Sequence, residues 1–274
     1  MKKAYTIFFL ALFIIIPSSR ASASRFWLTN VKRVSPQVLN ERLVNSPNSL
    51  KNMGRDYTNG WSIAFYNGAA TLIARSSKSP LEDKQFDQAV QYAADNRANL
   101  IIGHLEESAP SCPEGVDPYQ RFQNGKSWLF GHTGSLNKDL LIKLIGEEYL
   151  KANPPLLCGD HPPDSWMESE LYFIYLLKYV EQAGDLHAGL DAALQELHAQ
   201  GQIEHLNFYL TDGNDLWVFR KGTSIYYTYD KKGRMSIVAS DKPADQETHW
   251  KEIPEDQLTL VRPSKKPQFF DLAK

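Results

Sequence analysis

The order of strand-like and helical stretches predicts an α+β protein in which helices cover sheet faces. Strand-like runs come first, helices dominate the middle and strands return at the end. Neither an internal repeat nor a linker divides the chain. The composition agrees with one sizeable domain: of 274 residues, 42% are hydrophobic and 23% charged. With 16 Gly and 15 Pro, collagen-like and low-complexity classes are excluded. Two Cys are too few for a disulfide-built scaffold or a four-thiolate zinc module. A formal charge of −2 without a long Lys/Arg run argues against a nucleic-acid partner. A mean hydropathy of −0.41 argues against multiple membrane spans.

Residues 1–23 read as an export signal. Lys2 and Lys3 give a positive start, Ala4 to Ile16 is apolar, and Pro17 leads into a small polar stretch ending Ala21-Ser22-Ala23. That apolar run is shorter than the about 20 residues that span a bilayer core. The Ala-x-Ala pattern predicts cleavage after Ala23. The expected mature domain, residues 24–274, has 251 residues and begins at Ser24. Loss of Lys2, Lys3 and Arg20 takes its formal charge from −2 to −5. A periplasmic or secreted location without a lasting membrane anchor follows. There Cys112 and Cys158 are candidates for one disulfide, the alternative being two buried thiols. Cys158-Gly159-Asp160-His161 has metal-ligating residue types but lacks a second ligand pair at a standard spacing, so no metal and no cofactor are expected.

Along the mature chain, Ser24 to Thr29 reads as a strand and Pro36 to Val44 as a helix. Trp61 to Tyr66 and Thr71 to Arg75 form a hairpin through Asn67-Gly68, residues that tolerate positive φ. Lys84 to Ala94 carries Phe86, Ala89, Val90 and Ala93 on one helical face. Strands at Asn99 to His104 and Ser127 to His132 flank a loop with Cys112 and three prolines. Helices follow at Lys138 to Leu150, Ser165 to Gln182 and Leu186 to Leu197, the last stopped by Gly201. The remaining strands are His205 to Thr211, Leu216 to Arg220, Ser224 to Tyr229, Met235 to Ala239 and Leu258 to Val261. Turns at Asp212-Gly213-Asn214 and Lys231-Lys232-Gly233 separate them. Trp61 and Trp128 read as core aromatics, and His187, His198 and His205 as surface or helix-face residues.

A hydroxyl at a free N-terminus is a specific chemical opportunity. The α-amine has a reference pKa of about 7.7–8.0 and can take the proton of its own residue's side chain. Cleavage before Ser24 would uncover both groups together.

Several short strings then share one resemblance. Ser24-Arg25-Phe26-Trp27 resembles the mature Cys-Arg-Phe start of class II glutamine amidotransferases, members of the N-terminal nucleophile hydrolases. Asn59-Gly60-Trp61-Ser62-Ile63-Ala64 is similar to their His-Gly-Trp-Gly-Ile-Ala, and Gly103-His104-Leu105-Glu106 to Ala-His-Val-Arg. Asp117-Pro118-Tyr119 resembles His-Pro-Phe, and Phe130-Gly131-His132-Thr133-Gly134-Ser135-Leu136 resembles Phe-x-His-Asn-Gly-x-Leu. Met167-Glu168-Ser169-Glu170 looks like Thr-Asp-Ser-Glu at a helix head. The strings occur in the family's order from Ser24 to Glu170. The resemblance implies a four-layer αββα sandwich, with His104 and His132 at structural positions.

Four departures redirect the chemistry that the resemblance implies. Ser24 stands in place of the nucleophilic Cys. Glu106 replaces the Arg that receives the glutamine α-carboxylate. Thr133 replaces the oxyanion-binding Asn while Gly134 remains, and Glu168 replaces the ammonium-binding Asp. An anion in place of a cation repels a carboxylate by several kcal/mol, so free glutamine is a poor substrate. Arg97 and Arg121 are the nearest basic residues in sequence that could restore its binding. The expectation is an exported amidohydrolase with Ser24 as nucleophile, and Gly134 and Thr133 as oxyanion donors. Glu106, Glu168 and Arg25 are its substrate-side residues, and its substrate a small-molecule or peptide amide, favoured if cationic. Arg25 is alternatively the ion-pair partner of Glu106. A non-catalytic binding module on the same scaffold is the competing expectation.

Overall fold

The computed structural model describes residues 24–31, 35–68, 70–110, 112–159, 162–202, 205–230, 235–242, 249–263 and 265–272. The expected signal segment, Asp160, His161 and the turn at 231–233 lie outside the described residues.

The strands are β1 (Arg25–Val31), β2 (Trp61–Asn67), β3 (Ala70–Ser76), β4 (Leu100–Leu105), β5 (Tyr119–Gln123), β6 (Lys126–Thr133) and β7 (Asn207–Thr211). They continue with β8 (Leu216–Arg220), β9 (Tyr226–Asp230), β10 (Met235–Ala239), β11 (Lys251–Glu252), β12 (Gln257–Val261) and β13 (Gln268–Asp271). The helices are α1 (Pro36–Asn40), α2 (Leu50–Met53), α3 (Lys84–Asp95), α4 (Lys138–Ile145), α5 (Glu147–Ala152), α6 (Glu168–Ala183) and α7 (Leu186–Ala199). One sheet has the order β11-β9-β10-β1-β4-β2-β3 and the other β13-β12-β8-β7-β6-β5, with antiparallel pairing throughout.

Side-chain alternation with period two builds the layers. Along β1, Trp27 and Val31 pack with Leu39, Leu43, Phe86 and Val90 beneath the first helices. Phe26 and Leu28 point the other way and meet Leu129, Tyr209 and Val218 of the second sheet. The outer face of that sheet, with Trp128, Phe130 and Phe208, is covered by Leu171, Ile174, Leu190 and Leu194 from α6 and α7. The result is helix, sheet, sheet, helix. The central strands are covered on both faces, as the near-continuous burial of β1, β4 and β7 shows. Helix α6 lies deep, with Glu170 to Leu177 all buried, and ends at Gly184 in the left-handed conformation.

Some expected elements shift for identifiable reasons. The helix expected over Lys138 to Leu150 breaks at Gly146, whose φ of 83° is open to glycine and strained for other residues. The helix beginning at Pro36 passes into a π-helical turn over Glu41–Asn45. Asn67 is the last residue of β2, paired with Ala70, and Gly68 takes the positive φ. Strand β5 lies inside the stretch expected as loop; it is an edge strand whose Phe122 is exposed, so it carries little apolar alternation. His187 is no bare helix-face residue: its ring stacks on Trp217 at 5.5 Å and meets Phe270 at 4.5 Å.

Candidate active site

The site begins with strand register. Antiparallel pairing sets Phe26 opposite His104, and His104 opposite Ser62, on the face toward the second sheet. Glu106 follows His104 by two residues, and its N–H still bonds the Gly60 carbonyl at 3.0 Å. Period two therefore keeps Glu106 on the face shared by His104. Ser24 precedes Phe26 by two and joins them: its Oγ donates to Glu106 Oε2 at 3.1 Å. The Glu107 N–H donates to Ser24 Oγ at 3.4 Å.

Asp117 closes the group from the loop before β5. Its N–H donates to Glu106 Oε1 at 2.8 Å, and its Oδ2 accepts from the His132 N–H at 3.3 Å. The Ser62 hydroxyl donates to the Asp117 carbonyl. His104 Nε2 lies 3.6 Å from Glu106 Oε1 and 3.7 Å from Asp117 Oδ2. Its Nδ1 pairs with the Tyr209 hydroxyl, 3.1 Å away on the second sheet. Burial sets the charges. It pushes Glu106 up to about 7, and, with Glu106 beside it, holds Asp117 well above the usual carboxylate range. Burial, then His132, pushes His104 down to about 3, and burial lowers His132 to about 4, so both rings are neutral near pH 7.

The other expected residues form a second group. Thr133 ends β6 opposite Asn207. Gly134 follows with φ 125°, where a Cβ would lie 2.0 Å from the His205 carbonyl oxygen, so the backbone passage requires glycine. Glu168, in the first turn of α6, accepts from the Leu136 N–H and from Ser135 Oγ at 3.4 Å, holding the 133–136 turn. Glu170 accepts from the N–H groups of Leu156 and Leu157 at 2.7 and 3.1 Å. Burial raises both carboxyls above their ordinary value. Their place in the first helical turn suits the positive end of the helix dipole.

The structure thus brings Ser24 and Glu106 into direct contact and gathers Thr133, Gly134 and Glu168 around the turn at the head of α6. Arg25 is directed elsewhere, in an ion pair with Asp241 and with its guanidinium 4.9 Å from the Tyr57 ring centroid. Arg121 bonds the Pro154 carbonyl and lies 3.9 Å from Glu170. Cys112 and Cys158 form a disulfide with Cα atoms 5.6 Å apart, the first of the two alternatives the sequence left open. It ties the loop carrying Asp117 to the connection before α6, and it removes the Cys158 thiolate from any metal set. Sequence reasoning passed over His104 and Asp117 as chemical groups. The one available signal was the His104-x-Glu106 spacing, which places two donor side chains on one strand face.

Two antiparallel sheets packed face to face between helical layers form the αββα architecture of the N-terminal nucleophile hydrolases. Residues 46–261 match the family model described as glutamine amidotransferases class-II, and the chain belongs to that family. Among solved structures, glutamine phosphoribosylpyrophosphate amidotransferase from B. subtilis is similar with a TM-score of 0.62 and 13% identity, over 91% of this chain and 49% of that one. A glutamine aminotransferase class-II domain protein from Silicibacter pomeroyi gives 0.60 and 16%, over 91% and 100%. The allosteric regulatory enzyme of purine biosynthesis gives 0.65 and 14%, over 91% and 49%. These likenesses show the shared fold. An uncharacterized protein of Methanocaldococcus jannaschii is 29% identical over 140 residues, half of this chain and 35% of that protein. The chain therefore spans about a third of that relative's length and about half of the B. subtilis protein's.

Proposed function

We propose that the domain is an exported amide hydrolase in which Ser24 attacks an amide other than free glutamine. The observation that carries this reading is the 3.1 Å hydrogen bond from Ser24 Oγ to Glu106 Oε2 at the head of the first strand. A nucleophile held by a carboxylate that is itself fixed, here by the Asp117 N–H, has the arrangement of an activated hydroxyl. After cleavage behind Ala23, the Oγ proton leaves its hydrogen bond with Glu106 and passes to the Ser24 α-amine as attack begins. Attack on the carbonyl carbon forms the Oγ–C bond, and the oxyanion rests on the Gly134 N–H and the Thr133 hydroxyl. Collapse breaks the C–N bond, with the α-ammonium proton going to the departing amine. Water then hydrolyses the acyl-Ser24 ester.

Glu106 supports the exclusion of glutamine, because it offers a carboxylate oxygen where a substrate carboxylate would need a cation. Glu106 favours a small-molecule or peptide amide that carries positive charge. The test has two parts. Intact-mass measurement of the exported protein is expected to find Ser24 as its first residue. Ser24→Ala is expected to reduce turnover of the best amide in a panel of neutral, cationic and glutamine substrates by at least about 10³-fold, with glutamine unhydrolysed by the parent. A different first residue removes the α-amine mechanism, and unchanged turnover in Ser24→Ala leaves the non-catalytic binding module as the reading.

A further inference from the structure

Two polar atoms beside Ser24 are buried without a hydrogen-bond partner: His104 Nε2 and Asp117 Oδ1. Leaving such groups unmatched costs about 1–3 kcal/mol each, and native interiors rarely tolerate it without a reason. They lie in one cluster. A ring nitrogen of His104 and one oxygen each from Glu106 and Asp117 fall within 4.8 Å of one another.

From this geometry we infer that His104, Glu106 and Asp117 bind one divalent transition-metal ion of the Zn²⁺ or Mn²⁺ type. A tetrahedral ion with bonds of about 2.1 Å separates its ligand atoms by about 3.4 Å. The His104 Nε2 distances of 3.6 Å to Glu106 Oε1 and 3.7 Å to Asp117 Oδ2 are close to such edges. The ring is prepared for the role. Its Nδ1 is engaged by the Tyr209 hydroxyl, and protonation there leaves the Nε2 lone pair facing the carboxylates.

The charge balance points the same way. Two carboxyls meet in a largely buried space. Arg75, whose field reaches Asp117, spends Nη1 on the Glu114 carbonyl at 2.9 Å and Nη2 on the Pro118 carbonyl at 3.0 Å. A divalent cation would satisfy His104 Nε2 and share Glu106 Oε1 and Asp117 Oδ2, which already accept backbone N–H bonds. One imidazole and two carboxylates suit zinc or manganese, whereas calcium takes six to eight oxygens. Three protein ligands also leave a coordination position free for water. The Glu106 side chain, 12% exposed, is the group in the cluster that reaches solvent.

The site shares Glu106 with the proposed nucleophile, yet ion binding is measurable without turnover. Mature protein stripped with chelator is titrated calorimetrically with Zn²⁺ alone and with Mn²⁺ alone, and its metal content is measured after dialysis. About one ion per chain is expected for at least one of the two metals. Asp117→Asn and Glu106→Gln, close in shape to the parent, are expected to weaken binding by at least about 100-fold, and Tyr209→Phe by about 10–100-fold. Ser24→Ala, which loses one hydrogen bond to Glu106, is expected to keep about one bound ion per chain with affinity lowered no further than in Tyr209→Phe, which separates this result from the loss of turnover in the hydrolase assay. Circular dichroism confirms that each variant is folded. A folded parent that takes up neither metal overturns the inference in favour of a proton held between the two carboxyls. Unchanged binding in both Asp117→Asn and Glu106→Gln overturns it in favour of an ion bound elsewhere.

Discussion

Two pairs of buried or half-buried acids stand in this molecule, and they are treated in opposite ways. At the head of α6, Glu168 and Glu170 each accept two hydrogen bonds, from Leu136 and Ser135 and from Leu156 and Leu157. At the start of β1, Glu106 is matched by Ser24 and Asp117, but Asp117 keeps an unmatched oxygen and His104 an unmatched nitrogen. The first pair fastens loops to a helix. The second holds charge and lone pairs in reserve around a hydroxyl, an arrangement that adds little to stability and suits chemistry.

Substitutions at the two pairs should separate these roles. The largest effect on stability is expected at Glu170. Glu170→Ala leaves the Leu156 and Leu157 N–H groups without their acceptor, at about 1–3 kcal/mol each. A loss of about 3 kcal/mol in urea unfolding is expected, and a change under about 0.5 kcal/mol would break the comparison. The smallest is expected at Asp117. In chelator-stripped protein, Asp117→Asn keeps an acceptor for the His132 N–H and removes one of two mutually repelling carboxyls, so stability is expected to stay within about 1 kcal/mol of the parent or to rise. A large loss there would make Asp117 a structural acid like Glu170.

Much of the fold was legible because it follows from period. Alternation along β1, β4 and β6, the helical stripe of Lys84–Asp95 and the apolar run of α6 each express which faces are covered. The breaks at Gly146 and the edge strands β5 and β13 were not, since a backbone torsion and an exposed strand leave little trace in hydrophobic pattern. The site divides likewise. Ser24, Glu106, Thr133, Gly134 and Glu168 were singled out by their place in ordered motifs. The contact of Asp117 with Glu106 depends on how an irregular loop of prolines folds back over β4, and no local spacing encodes that. The cluster with His104 became visible only when register, loop and the Tyr209 partner from the other sheet were assembled.

The central claim is that the unmatched acidic cluster serves Ser24. Its most direct test is peptide mapping by mass spectrometry after the mature protein reacts with an activated acyl ester or a fluorophosphonate. One adduct on Ser24 is expected, absent in Ser24→Ala and slowed in Glu106→Gln. No adduct on Ser24, or labelling at other residues that Ser24→Ala leaves unchanged, would contradict the account.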